Sequence, residues 1–203
     1  MRTKSDEKRQ AILDIAAEVF REAGFERASM SEICARVGGS KATLYNYFPS
    51  KEELFFEVMF LSTEAEFEAT HKALDPATED IAVSLRHFGE RFLALLYSPD
   101  VLAVRRLIIA ESGRSHLGSL CYARGPQRSQ AVVSEFLAGA MAQGRLRHDD
   151  PLVATVHLRG LLEAELLDRF LFQVSDSVSK KEIKAITDRA IRVFMAAYGP
   201  LTT

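Results

Sequence analysis

Residues 29–55 read Ser29-Met30-Ser31-Glu32-Ile33-Cys34-Ala35-Arg36-Val37-Gly38-Gly39-Ser40-Lys41-Ala42-Thr43-Leu44-Tyr45-Asn46-Tyr47-Phe48-Pro49-Ser50-Lys51-Glu52-Glu53-Leu54-Phe55. Ser29 stands three residues before Glu32, the S-x-x-E form of a capping box, and opens a short helix carrying Ile33, Cys34 and Val37. Gly38-Gly39 stops that helix, with Gly38 supplying a positive φ that most residues resist. Ser40 caps a second helix, Lys41 to Tyr47, and Pro49 prevents its simple continuation. Ser50-Lys51-Glu52-Glu53 starts a longer one with Leu54, Phe55, Val58 and Met59 on its apolar side.

Working outward, Ile12, Ile15, Ala16, Val19, Phe20 and Ala23 recur at three- and four-residue steps and form one apolar stripe. Gly24 follows where a helix can end in the left-handed conformation, and Phe25 plugs the end. Two short helices joined by a tight glycine turn fit a helix-turn-helix. Ile33, Val37 and Leu44 then face inward against Ile15 and Phe20, and the second helix presents Lys41, Thr43, Asn46 and Tyr47, with Tyr45 beside them. Hydroxyls and Lys suit phosphate oxygens, and Asn suits an adenine edge in a major groove ~12 Å wide.

The run from Ser31 to Phe55, with Ala-Glu-Val-Phe-Arg-Glu-Ala-Gly-Phe at 17–25, resembles the DNA-binding domain of the TetR family of transcriptional regulators. The resemblance implies Ser31, Ser40 and Lys41 at phosphates near helix starts, and Thr43 and Asn46 reaching toward base edges. It also implies Tyr45 and Tyr47 gripping the backbone, Lys51 on a phosphate, and Lys4, Lys8 and Arg9 near the flanking backbone. Local roles stand beside these: packing for the two tyrosines, a surface pair with a neighbouring Glu for Lys51, a plain helix start for Ser31. Gly39 departs from the family's usual apolar residue, which loses a core contact and loosens the turn; Ala42 replaces a frequent Gly or Pro.

After Asp75-Pro76 the pattern changes to longer amphipathic helices, expected roughly at 79–97, 99–112, 115–124, 126–144, 151–174 and 179–198. The expected breakers are Ser98-Pro99, Gly113, Gly125-Pro126, the Gly144-to-Pro151 segment and Ser175-Asp176-Ser177. No alternating strand pattern is sustained. The fold class is therefore all-α: an N-terminal three-helix helix-turn-helix domain over 1–55 joined to a larger helical bundle over 56–203, about nine to ten helices in all. Val104 to Ser112, Gly125-Pro126, Gly144-Arg145-Leu146 and Asp149-Asp150-Pro151 resemble AcrR/AefR-like effector domains of the same family.

That resemblance implies a homodimer, a small-molecule effector of unknown identity and a double-stranded DNA operator. The segments 151–174 and 179–198 carry more apolar surface than one stripe requires, with Leu152, Val156, Leu161, Leu162, Leu166 and Phe170 on the first. The second carries Ile183, Ile186, Ile191, Phe194 and Met195. Phe88, Phe92, Leu107 and Phe136 are candidates to line an effector pocket, and core packing is the plainer role for each.

The 203 residues carry 26 Lys plus Arg against 28 Asp plus Glu, a net charge of −2 that excludes binding by bulk positive charge but not a local basic face. The charged start lacks an apolar run for export, and no stretch approaches the ~18 apolar residues of a span, so a soluble cytoplasmic protein is expected. Cys34 and Cys121 are far apart and expected reduced; for Cys121 a plain thiol is the expected state. The five His residues lack metal-ligand spacing, and no GxSxG or GxxxxGK[ST] occurs, so neither enzyme activity nor a cofactor is expected. The alternative function is an all-helical interaction or sensor protein whose helix-turn-helix no longer binds DNA.

Overall fold

The computed structural model describes residues 4–111, 113–174 and 177–200. Ser112, Ser175 and Asp176, named above in expected motifs, and the Lys4 side chain lie outside the described residues. The described residues are helical throughout, without a strand. Helix α1 is Lys4–Arg27, α2 Met30–Val37, α3 Lys41–Tyr47 and α4 Lys51–Lys72. Then come α5 Ile81–Leu96, α6 Pro99–Glu111, α7 Leu117–Tyr122, α8 Arg128–Ala142, α9 Pro151–Glu163, α10 Leu167–Leu171 and α11 Lys180–Tyr198.

Local chemistry sets the first boundaries. Ser29, Ser40 and Ser50 each cap a helix by accepting the N–H three residues on, at 3.2, 3.1 and 3.1 Å. Gly38 ends α2 in the left-handed region at φ 68, ψ 40, as the sequence requires. Gly24 also has positive φ, but its ψ of 164 kinks α1 instead of closing it, and one more turn runs to Arg27.

Two boundaries differ from expectation. Gly125-Pro126 does not break the chain: Ala123–Gln127 forms a π turn that carries α7 into α8. A proline lacks the N–H for an i→i−4 bond and clashes with the carbonyl four back; the wider π turn accommodates both. The expected helix at 151–174 divides at Ala164–Leu166 into α9 and α10, because Leu166 turns inward to 1% exposure beside buried Phe170.

Two cores result. The first gathers Ile12, Val19, Ile33, Leu44, Phe48 and Leu54 from α1–α4, with Ile15 and Val37 packed partly buried against it, as expected. The second gathers α5 and α8–α11 around Leu85, Leu137, Leu158, Leu162 and Phe194. Three helices cross at Gly89 of α5, where a Cβ would stand 2.8 Å from Thr187 and 2.9 Å from Leu162. Val104 and Leu107 of α6 pack against the first core, so the larger domain leans directly on the helix-turn-helix.

Candidate nucleic-acid interface and internal cavity

On α3 the core takes Leu44 and leaves the opposite face to solvent. Lys41, Asn46 and Tyr45 are exposed there, the last at 46%. Thr43 is half-buried, and its hydroxyl lies 2.9 Å from Ser40 Oγ, which also accepts the Thr43 N–H. Ser31 is exposed on the second position of α2, beside Ser29, which holds the cap. Tyr47 differs from Tyr45: its ring packs against the core and its hydroxyl lies 3.2 Å from Ser5 Oγ of α1.

The structure gives Lys51 an intramolecular task. Its ammonium donates to the carbonyls of Phe25, Ala28 and Glu26 at 2.8, 3.3 and 3.4 Å and lies 4.2 Å from the Phe25 ring centroid. Arg9 is likewise engaged, donating to Glu57 at 2.8 Å and stacking over Phe48. At the turn, the Gly39 carbonyl accepts the Cys34 thiol at 3.1 Å.

A cavity of about 370 Å3 opens between α4, α5, α6, α8 and α9. Phe56, Phe60 and Phe67 of α4 and Phe88 and Phe92 of α5 form much of its wall. Of the four sequence candidates, Phe88 and Phe92 line it; Leu107 and Phe136 pack against the two cores instead. The rest of the lining escaped sequence reading because a Phe at helical spacing has the same pattern in a core and in a pocket.

The wall is pinned by a repeated device. Glu57 and Phe60 of α4 receive Arg124, and one heptad on Glu64 and Phe67 receive Arg128. Arg124 thus pairs with Glu57 and stacks 3.7 Å above Phe60, while Arg128 pairs with Glu64 at 2.5 Å and stacks 4.5 Å from Phe67. Residues four apart on the incoming segment meet residues seven apart on α4, and each cation engages both a carboxylate and a ring. Glu57 also holds Arg9, so one carboxylate joins the helix-turn-helix to the cavity wall.

Deeper in, Glu163 is 6% exposed and accepts from Arg105, Arg159 and the Tyr97 hydroxyl at 2.9, 3.0 and 3.2 Å. Burial and the neighbouring carboxylate push the Tyr97 phenol up to about 12. His71 is buried between the cavity and α8; desolvation, with help from Arg128, holds its imidazole below the usual histidine range. Burial raises the Cys121 thiol, which makes it a poor nucleophile and agrees with the plain thiol expected.

The outer face of α9 and α11 leaves Leu152, Val156 and Val193 about half exposed, at 51, 53 and 50%. Gly160, Ala196 and Ala197 are exposed beside them. Most apolar residues assigned to this face from sequence point the other way. Leu162, Leu166, Phe170, Ile183, Ile186, Ile191 and Phe194 are buried within the chain's own core, and Leu161 and Met195 are packed partly buried against it. Among the described residues no helix is long and apolar enough to cross a membrane, and no cluster of side chains suits a metal ion.

Comparison with known proteins agrees with this geometry. A family model described as "Bacterial regulatory proteins, tetR family" matches residues 12–58, and one described as "AefR-like transcriptional repressor, C-terminal domain" matches 83–200. The regulator UidR of Escherichia coli K12 is 38% identical over 103 residues, 47% of this chain; the match spans about half of UidR, at 52%. The transcriptional activator FasR of Mycolicibacterium smegmatis is 37% identical over 79 residues, 39% of this chain and 36% of FasR. The crystal structure of a TetR-family regulator from Mesorhizobium loti MAFF303099 superposes with a TM-score of 0.82 at 29% identity, covering 98% of this chain and all of that one, 100%. The flavonoid-responsive regulator FrrA superposes with a TM-score of 0.71 at 31% identity, covering 97% and 99% of the two chains.

Proposed function

The chain belongs to the TetR family of transcriptional regulators, which are DNA-binding proteins and not enzymes, and from that premise we propose a ligand-responsive repressor that binds a palindromic operator as a homodimer. The observation that carries this reading is the outward face of α3. Lys41, Tyr45 and Asn46 are exposed there on a short helix whose inner side is locked by Leu44, so they serve no packing need. Lys41 and Tyr45, with Ser31, Ser40 and Tyr47, take phosphate oxygens; Thr43 and Asn46 reach base edges. Lys51 holds the end of α1 in place and acts on DNA through the position of α3.

The exposed apolar strip of α9 and α11, with small residues at Gly160, Ala196 and Ala197, supports pairing with a second copy. Two recognition helices spaced by one turn of DNA, ~34–36 Å, then read successive major grooves. The cavity supports response to a small molecule. Its wall includes Val104 of α6, which also packs on the helix-turn-helix core, and Phe60, which is backed by Arg124, the residue that shares Glu57 with Arg9. A ligand that favours one arrangement of these contacts shifts the spacing of the recognition helices by its differential affinity. That FrrA, 31% identical, is a flavonoid-responsive regulator supports an aromatic ligand for this protein as well.

Fluorescence anisotropy with DNA from just upstream of the protein's own coding region tests the reading, against a scramble of equal length at two salt concentrations. Binding that beats the scramble at physiological salt, where non-specific affinity is only ~10⁻⁴–10⁻⁶ M, supports it. No binding even at low salt would overturn it in favour of a protein whose helix-turn-helix has lost DNA.

A further inference from the structure

Three hydroxyls of the cavity wall, those of Thr63, Ser129 and Thr155, are turned the same way. A hydroxyl has one hydrogen to give and two lone pairs. Thr63 gives its hydrogen to the carbonyls of Met59 and Phe60, at 3.0 and 3.2 Å, and Thr155 gives its own to the Pro151 carbonyl at 2.8 Å. Ser129 follows from His71. The Phe67 carbonyl lies 2.8 Å from Nδ1 and can only accept, so Nδ1 carries the imidazole hydrogen. Desolvation keeps the ring neutral, which leaves Nε2 bare. The Ser129 hydroxyl, 2.8 Å from Nε2, therefore donates to it. Thr63, Ser129 and Thr155 thus face the cavity with lone pairs only.

The charged groups complete the pattern. Arg105 and Arg159 share the one carboxylate of Glu163, and Arg128 pairs with one oxygen of Glu64. The other Glu64 oxygen is buried and accepts no hydrogen bond. Asp100 lies on the same wall. At the free Glu64 oxygen a carboxylate ligand would meet like charge, whereas a neutral hydroxyl group finds an acceptor already placed. Gln130, an amide, serves either polarity. The apolar remainder is ring upon ring, with Phe88 and Phe92 stacked at 5.5 Å and Phe60 and Phe67 backed by guanidinium groups. The volume of about 370 Å3 falls at the small end of ligand sites, roughly 300–1,000 Å3.

We propose that the cavity is a binding site for neutral aromatic molecules bearing hydroxyl donors, the phenols, with a ligand hydroxyl donating to Ser129 Oγ or to the free oxygen of Glu64. This rests on the effector reading of the cavity for its regulatory meaning but not for binding itself.

Titration calorimetry of the DNA-free protein with three probes of one shape tests it: para-phenylphenol, its methyl ether and the corresponding biphenyl carboxylate. The phenol is expected to bind at least tenfold more tightly than the ether, which lacks the donor, and than the carboxylate, which carries charge. Ser129→Ala is expected to shrink the preference for phenol over ether at least threefold, and Ser129→Thr to keep it. Equal or tighter binding of the ether or carboxylate overturns the proposal, as does absence of phenol binding at millimolar concentration. An unchanged preference in a folded Ser129→Ala protein overturns the Ser129 contact and leaves the Glu64→Gln variant to carry the same test. If phenol binds as expected while operator DNA is not bound, the site stands and the regulatory function falls.

Discussion

The Lys51 ammonium lies 2.8 Å from the Phe25 carbonyl oxygen and 4.2 Å from the centroid of the same residue's ring. The first turn of α4 thereby closes the end of α1 across the kink at Gly24, satisfying carbonyls that the helix itself leaves open. Phe25 in turn packs its ring on Phe55 at 4.9 Å, so α1 and α4 are tied together twice at this point.

Lys51→Met keeps the apolar stem over the ring and removes the donors. The expected result is a loss of about 1–2 kcal/mol in unfolding free energy, the range for hydrogen bonds from a charged donor that is partly solvated. The dependence of DNA affinity on salt should be unchanged. A slope lower by about 0.9 per protomer would instead mean that Lys51 neutralises a phosphate, and would return it to the interface.

Lys41 and Asn46 are neighbours on one face of α3 and should fail in different ways. Lys41→Ala is expected to weaken binding to all sequences and to reduce the salt slope by about one. Asn46→Ala is expected to cost about 1–3 kcal/mol on the operator and to relax preference at a single base position, read from a set of singly substituted operators. Uniform weakening by Asn46→Ala would place it on the backbone.

Gly39 was expected to weaken the turn, but its conformation is one any residue adopts. A Cβ there would rest 3.7 Å from Lys8 Nζ and 4.0 Å from Val37 Cγ1, both ordinary contacts. Gly39→Ala should therefore stabilise the protein by about 0.4–1 kcal/mol, by restricting the unfolded chain. Thermal unfolding measures this directly, and a lower midpoint would show that the Cys34-to-Gly39 hydrogen bond is disturbed.

These local devices were legible because their causes lie within four residues of one another. Ser29, Ser40 and Ser50 cap the N–H three residues on, and Gly38 alone supplies the left-handed turn. The larger domain was read less well where the cause is distant. Glu163 is fixed by Arg105, 58 residues earlier, at the point where α9 ends and the expected single helix divides. His71 and Ser129, also 58 residues apart, set the polarity of the cavity, and no spacing along the chain announces their meeting. Pro126 reads as a stop in sequence, and only a π turn lets the chain continue through it.

His71 gives the protein an acid-sensitive element. Its folded value is depressed, so the unfolded chain binds a proton first as pH falls. The stability it contributes is fully present above pH ~6.5, the unfolded value, and declines as pH drops toward the folded one. The groups facing it are Ser129 and Arg128 of α8, the Phe67 and Phe88 rings, and Glu64 and Glu68, which hold Arg128. His71→Gln keeps a polar group and does not titrate. Its unfolding free energy should fall less between pH 7 and pH 5 than that of the unaltered protein; parallel curves would remove His71 as the source.

Glu57 is the shared partner of Arg9 on α1 and Arg124 in the π turn, so it belongs to both domains at once. Its side chain is 13% exposed, whereas those of Arg9 and Arg124 are 41% and 30% exposed. Solvent therefore screens the two cations more than the carboxylate that joins them. Glu57→Gln preserves the shape and removes the charge, leaving both guanidinium groups facing a neutral amide. The expected loss is about 1–2 kcal/mol, the lower part of the range for charge-assisted hydrogen bonds. Its distribution matters more than its size. With the bridge intact, calorimetry should show one cooperative transition, because α6 and Glu57 both bind the helix-turn-helix to the larger core. In Glu57→Gln the smaller domain has lost part of that support and should begin to unfold first, giving a broadened or split transition. A single sharp transition at an unchanged midpoint would show that Val104 and Leu107 alone carry the coupling.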